Sequence, residues 1–138
     1  MSVQANKEIA RKFLDALGKN DFSDLYSPDY VHHNDAWYPG LEPGVANFRA
    51  AVERSGKALS NRTREITHLI AEGDMVVARF RVTGVHVGDW GGIPATGKPV
   101  SFVATDIYRF EDGKIVEGWA HLDYFDVMRQ LGAKPAVG

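Results

Sequence analysis

The stretch RTREITHLIAEGDMVVARFRVTGVH, residues 62–86, decides the fold. Before it, apolar residues recur at helical spacing. From Ser60-Asn61 onward they alternate with polar ones, the period of strands with one buried face. Two alternating runs flank Glu72-Gly73-Asp74, so the segment predicts a β-hairpin. Downstream, GDWGGIPATGKP (88–99) is a Gly/Pro-rich connection. VSFVATDIYRF (100–110) and KIVEGWAHLD (114–123) then pair around Glu111-Asp112-Gly113-Lys114, with the Asp-Gly dipeptide that hairpin turns favour. Upstream, Ile9, Phe13 and Leu17 at i, i+4, i+8 predict a helix over 4–17, ended by Gly18. Phe22, Leu25 and Tyr26 fit a short second helix, stopped by Pro28. YVHHN (30–34) reads as extended and DAWYPGLEPG (35–44) as a loop. Val45, Phe48, Val52 and Leu59 mark a third helix over 45–59. The tail YFDVMRQLG offers one or two last helical turns. Three helices followed by four meandering strands give an α+β fold, helices covering one face of a bent antiparallel sheet with a pocket between them.

Composition limits the partners. The chain has 138 residues, a length that suits a single domain spanning 1–138. Its net charge of −2 gives no electrostatic reason to expect nucleic acid or an anionic membrane. There are no cysteines, hence no disulfides or thiolate metal sites. The first residues lack a signal-peptide core, and no run approaches the ~18 apolar residues of a membrane span. The expectation is a soluble, cytoplasmic domain.

GKIVEGWAHLDYFDVM (113–128) carries the chemistry. Side chains alternate along a strand, so Ile115, Glu117, Trp119, His121 and Asp123 share one face and Val116, Gly118, Ala120 and Leu122 the other. Regular pairing around the Asp-Gly turn sets Tyr108 opposite Glu117, Asp106 opposite Trp119, Ala104 opposite His121 and Phe102 opposite Asp123. The odd face thereby gathers Phe102, Asp106, Tyr108, Trp119, His121 and Asp123, apolar walls around a few polar groups, as in a small-molecule pocket; a one-residue bulge scatters that set. Burial beside Trp and Phe raises a carboxyl above its ordinary value of about 3.9, which suits a general acid or base, and Asp123 is the first candidate. Asp123 also suits the N-cap of a helix over YFDVM. His121 reads as a proton-sharing neighbour or a half-exposed histidine, and Asp106 as a mid-strand charge paired with Arg or His. Tyr108, Trp119 and Phe102 read as pocket wall, with Trp37 from the loop and His86 at the pocket mouth. In YVHHN the phase leans to Val31 and His33 inward, although Tyr30 argues for the reverse. The small even face, Val116 to Leu122, suits close packing against a second copy. The histidines lack zinc spacing: His32 and His33 diverge on a strand and only His121 and Asp123 share a face, so no metal is expected. No P-loop, G-x-S-x-G or dinucleotide fingerprint is present.

Together, NKEIARKFLDAL, SPDYVHHN, LIAEGDMVVARFRVTGVHVG, GGIPATGKPVSF and DIYRFEDGKIVEGWAHLD resemble the SnoaL-like polyketide cyclase family of the nuclear-transport-factor-2-like superfamily. The resemblance implies a cone-shaped barrel wrapped by three N-terminal helices, commonly a homodimer. It implies intramolecular aldol closure or isomerisation of a small, largely apolar carbonyl compound without metal or cofactor. It also implies that Asp123 moves the proton and that His33 lies in the pocket. The cyclases tend to carry a histidine on the penultimate strand, where this chain has Tyr108. DYFD (123–126) is similar to the ending of limonene-epoxide-hydrolase-type enzymes, but their Arg-x-Asp is missing: Arg79 and Arg81 have no aspartate beside them. A third reading is a binding module for a hydrophobic small molecule.

Overall fold

The computed structural model describes residues 2–17, 24–34 and 44–133. Helix α1, Val3–Leu17, turns Ala10, Phe13 and Leu14 inward, all of them buried, and Ile9 packs against the core beside them. Strand β1, Tyr26–Asn34, begins where a short helix was expected. Tyr26 and Pro28 lie in this strand, and the expected extended segment YVHHN is its second half. Pro28 fits there because β1 is an edge strand, where a missing N–H costs no ladder bond.

Helix α2, Val45–Ala58, buries Phe48, Ala51, Val52, Ser55 and Ala58 and passes directly into β2, Leu59–Glu72. Strands β3 (Met75–His86), β4 (Pro99–Glu111) and β5 (Lys114–Leu122) follow, and α3, Tyr124–Gln130, closes the order. The class is α+β, with a curved, unclosed sheet in the order β1-β5-β4-β3-β2. Two particulars differ from the expectation. The sheet is mixed, because β1 joins β5 in parallel, and the third described helix lies at the C-terminal end.

The two predicted hairpins are present. In the β4–β5 turn both Asp112 (φ 50°) and Gly113 (φ 76°) are left-handed, the backbone a two-residue hairpin requires and the reason for the Asp-Gly pair. Burial then alternates along β3 and β4. Val76, Ala78, Phe80, Val82 and His86 face inward from β3; Val100, Phe102, Ala104, Asp106, Tyr108 and Phe110 face inward from β4. Helices α1 and α2 cover this face. Phe13 of α1 meets Tyr108 edge-on at 5.4 Å, and burying each such side chain contributes roughly 1.5–3 kcal/mol.

One residue reorganises the faces of β5. Glu111 pairs with Lys114 and Phe110 with Ile115, but Arg109 pairs with Glu117, so Val116 is the extra residue of a bulge. Beyond it Tyr108 lies opposite Gly118, Asp106 opposite Ala120 and Ala104 opposite Leu122. Every side chain after Val116 therefore takes the face opposite to the one that regular pairing predicts. Gly118 and Ala120 are buried in the core and Leu122 packs against it, which corrects their expected role as an outer surface for a second copy.

Candidate active site

The inner face holds a polar line within an apolar core. Asp106 is 6% exposed, and its immediate neighbours on that face are Ala104 and Tyr108 on its own strand and Ala78 and Ala120 across the two flanking strands. Three of these four neighbours are alanines; the fourth is its hydrogen-bond partner. The Tyr108 hydroxyl donates to Asp106 Oδ2 at 2.5 Å; no described residue hydrogen-bonds Oδ1. Burial pushes the Asp106 carboxyl up to about 7, against the opposing pull of the Tyr108 bond and of the Arg64 charge. The same burial, with Asp106 beside it, holds the Tyr108 phenol well above its usual value.

Gly118 continues the line from Tyr108 to β1. It pairs with Tyr108 on one side and with His32 on the other. A Cβ at this position would collide with the Tyr30 hydroxyl, so the absence of a side chain on Gly118 gives that hydroxyl its seat. Tyr30 in turn shares a 2.7 Å hydrogen bond with His32 Nδ1. The His32 ring lies 4.5 Å from the Phe48 ring, and burial, with His33 adjacent, lowers it to about 4. His32 is therefore a neutral imidazole at ordinary pH.

The structure divides the residues expected from sequence. Asp106, Tyr108 and Phe102 share the inner face, and His86, fully buried, faces the same way at the far end of β3. The His86 Nδ1 accepts from the Thr96 backbone N–H at 3.2 Å, a bond that ties down the connection between β3 and β4. Trp119 and His121 leave the expected set: after the bulge they lie opposite Ile107 and Thr105 on the outer face. His33 is on that face too, bonded to Glu117 at 2.8 Å and stacked on Trp119 at 5.2 Å, because β1 turns Tyr30 and His32 inward instead. Asp123 is exposed and caps α3, accepting from the Asp126 N–H at 3.0 Å. Its surroundings therefore lack the apolar walls expected for it. Trp37 lies outside the described residues. Tyr30, His32 and Arg64 were not singled out from the sequence as site residues. Tyr30 itself carried the signal for β1, since an inward tyrosine at 30 forces His32 inward as well.

No cluster of metal-binding type occurs among the described residues, and no described helix is long and apolar enough to cross a membrane.

The comparisons agree with this architecture. The family model for SnoaL-like polyketide cyclases matches residues 7–131. The aklanonic acid methyl ester cyclase DnrD of Streptomyces peucetius is 32% identical over 141 residues, covering 96% of this chain and 92% of the relative. Its counterpart DauD from Streptomyces sp. (strain C5) is 31% identical, covering 91% and 80%. Among solved structures, TsrD from Streptomyces laurentii superposes with a TM-score of 0.85 at 31% identity, covering 97% of this chain and 99% of that one. This chain belongs to the SnoaL-like polyketide cyclase family.

Proposed function

We propose that the chain catalyses proton transfer on a largely apolar carbonyl compound, an intramolecular aldol cyclisation of the kind its cyclase relatives' names suggest, with Asp106 as general acid and base. The observation that carries the reading is the Asp106 carboxyl itself: buried, flanked by three alanines, held on one oxygen by Tyr108 and poised near neutrality. As carboxylate, Asp106 takes a proton from the carbon next to a substrate carbonyl. The resulting enolate carbon attacks a second carbonyl of the same molecule and forms the ring bond. The proton on Asp106 then passes to the new alkoxide oxygen, so the aspartate ends as it began. Tyr108 fixes the carboxyl plane through both steps. These steps require only this chain's own side chains. The neutral His32–Tyr30 pair supplies polar contacts beside the enolate without a competing positive charge.

Loss of deuterium from the α-carbon of a deuterated polycyclic 1,3-dicarbonyl compound, followed by NMR, tests this. Asp106→Asn should slow exchange about a hundredfold or more, the span general acid–base catalysis contributes. If Asp106→Asn changes only the affinity for the compound, the chain is a binding module.

A further inference from the structure

We propose that the outer face of the sheet pairs with the same face of a second copy, about a twofold axis that runs along one apolar row across the strands. Register fixes that row. Ile70 of β2 pairs with Val77, Val77 with Ile107, Ile107 with Trp119, and Trp119 with His33 of β1, so each of the five strands contributes one side chain. All of them point away from α1 and α2. Val76, Ala78, Tyr108 and Ala120 beside them are buried in the core, and Leu69 and Ala71 on either side of Ile70 pack against it. Ile70 itself is 61% exposed. Among the described residues no helix crosses the row: α1 and α2 cover the opposite face, and α3 meets β4 at its far end, where Gln130 bonds Ser101. A continuous apolar row bounded by charged ones has the make-up of an interface core with a polar rim.

The charged rows on either side name the occupant. Two residues along each strand in one direction stand Glu72, Met75, Arg109 and Glu117; two residues in the other stand His68, Arg79, Thr105 and His121. The first row carries the acids, Arg109 being bonded to Glu117 within it, and the second carries only basic side chains and a threonine. A copy turned about the apolar row lays the first row on the partner's second. Glu72 then meets the partner's His68 beside Arg79, and Glu117 meets the partner's His121. An axis along the strands would instead set Arg109 on Arg109 and Arg79 against His121, like charges together. Arg79 is held in place for this contact by its bond to Thr67 Oγ1 at 2.9 Å. Stacked sheets lie about 10 Å apart, close enough for facing side chains to touch. Glu117 and Arg109 lie toward the rim, which stays wet in an interface. The pairing leaves the Asp106 side of the sheet untouched and does not depend on the acid–base reading.

Sedimentation equilibrium tests it. The unaltered protein should run at twice the chain mass, with a Kd in the micromolar range or tighter. Ile70→Arg, at an exposed edge position, and Ile107→Arg should each raise that Kd about tenfold or more, with circular dichroism confirming that the first stays folded. Glu72→Lys should weaken the pairing, and Arg79→Glu added to it should restore it. Within one chain these two positions are about 13 Å apart along the strands, beyond the screening length, so such a rescue acts across the interface. The chain has no cysteine, so single thiols read the axis. Val77→Cys, on the axis, should cross-link two copies under mild oxidation, and Thr105→Cys, off it, should not. A monomer at every concentration, a dimer indifferent to both Ile70→Arg and Ile107→Arg, or cross-linking of Thr105→Cys in preference to Val77→Cys overturns the proposal.

Discussion

His32 and His33 are consecutive residues of one strand, and they live in different chemical worlds. His32 points inward, shares a hydrogen bond with Tyr30, packs on Phe48 and is lowered to about 4. His33 points outward, with 45% of its side chain exposed, and bonds Glu117. Two acids of the same sheet divide in the same way. Asp106, under the helices, is pushed up to about 7 by burial; Glu117, on the outer face, is lowered by its hydrogen bonds to His33 and Arg109. Water makes the difference. On the outer face Arg109 pairs with Glu117 in contact with water, whereas on the inner face burial neutralises each group separately. A neutral imidazole and a carboxyl poised near pH 7 are what proton transfer requires.

The largest expected effect is the hundredfold or greater loss of exchange on Asp106→Asn. The inner pair should also leave opposite marks on stability. Asp106 has a folded pKa near 7, above its ordinary 3.8, so its contribution is fully present below about pH 4 and is lost as pH rises to 7. His32 has a folded pKa near 4, below its ordinary 6.5, so its contribution is present above 6.5 and is lost as pH falls to 4. At 1.36 kcal/mol per pKa unit the two terms are about 4 and about 3 kcal/mol, and they oppose each other across pH 4–6.5. Denaturant unfolding of the unaltered protein should therefore vary little over that window. Asp106→Asn should make stability rise with pH there, and His32→Phe should make it fall. Parallel slopes in both variants would mean that the inner face is wet.

Gly118 is the joint between the two inner pairs. Gly118→Ala drives a methyl group into the Tyr30 hydroxyl, so it should cost about 1–3 kcal/mol in thermal or chemical unfolding. It should also loosen the Tyr30–His32 hydrogen bond, read as a change in the His32 ring ¹⁵N shifts. Unchanged shifts would separate Tyr30 from the histidine.

How much of this the sequence carried depends on which interaction set each feature. The hairpins, α1 and α2 were legible because local periodicity and turn residues specify them: Phe13 and Leu14 sit in register on one helical face, and Asp112-Gly113 has the backbone freedom its turn demands. The inner set Phe102, Asp106 and Tyr108 was legible because they alternate along one strand. The partner strand was not. Val116 is an ordinary β-branched residue with no glycine or proline to announce a bulge, yet it turns Trp119 and His121 to the other face. Likewise β1 takes its phase from long-range parallel pairing with β5, which a nine-residue window does not contain, and so His33 was favoured over His32.

Asp123 gives the smallest and cleanest contrast with Asp106. Asp106 lies in the middle of β4 and Asp123 just after β5. From the sequence Asp106 reads as a mid-strand charge that needs a partner, and Asp123 as the acid–base candidate or a helix cap. Asp106 finds a tyrosine in the core; Asp123 finds the backbone of α3, accepting from the Asp126 N–H in water. Asp123→Ala removes that acceptor and should cost about 1 kcal/mol, the ordinary worth of an N-cap, measured by chemical denaturation. Asp123→Asn keeps the acceptor and should cost less. Neither variant should slow α-proton exchange if, as proposed, Asp106 is the carboxyl that moves protons. A hundredfold loss on Asp123→Asn with stability intact would reverse the assignment. The outer end of β5 would then hold the catalytic acid, and Asp106 would be a buried structural carboxyl held by Tyr108.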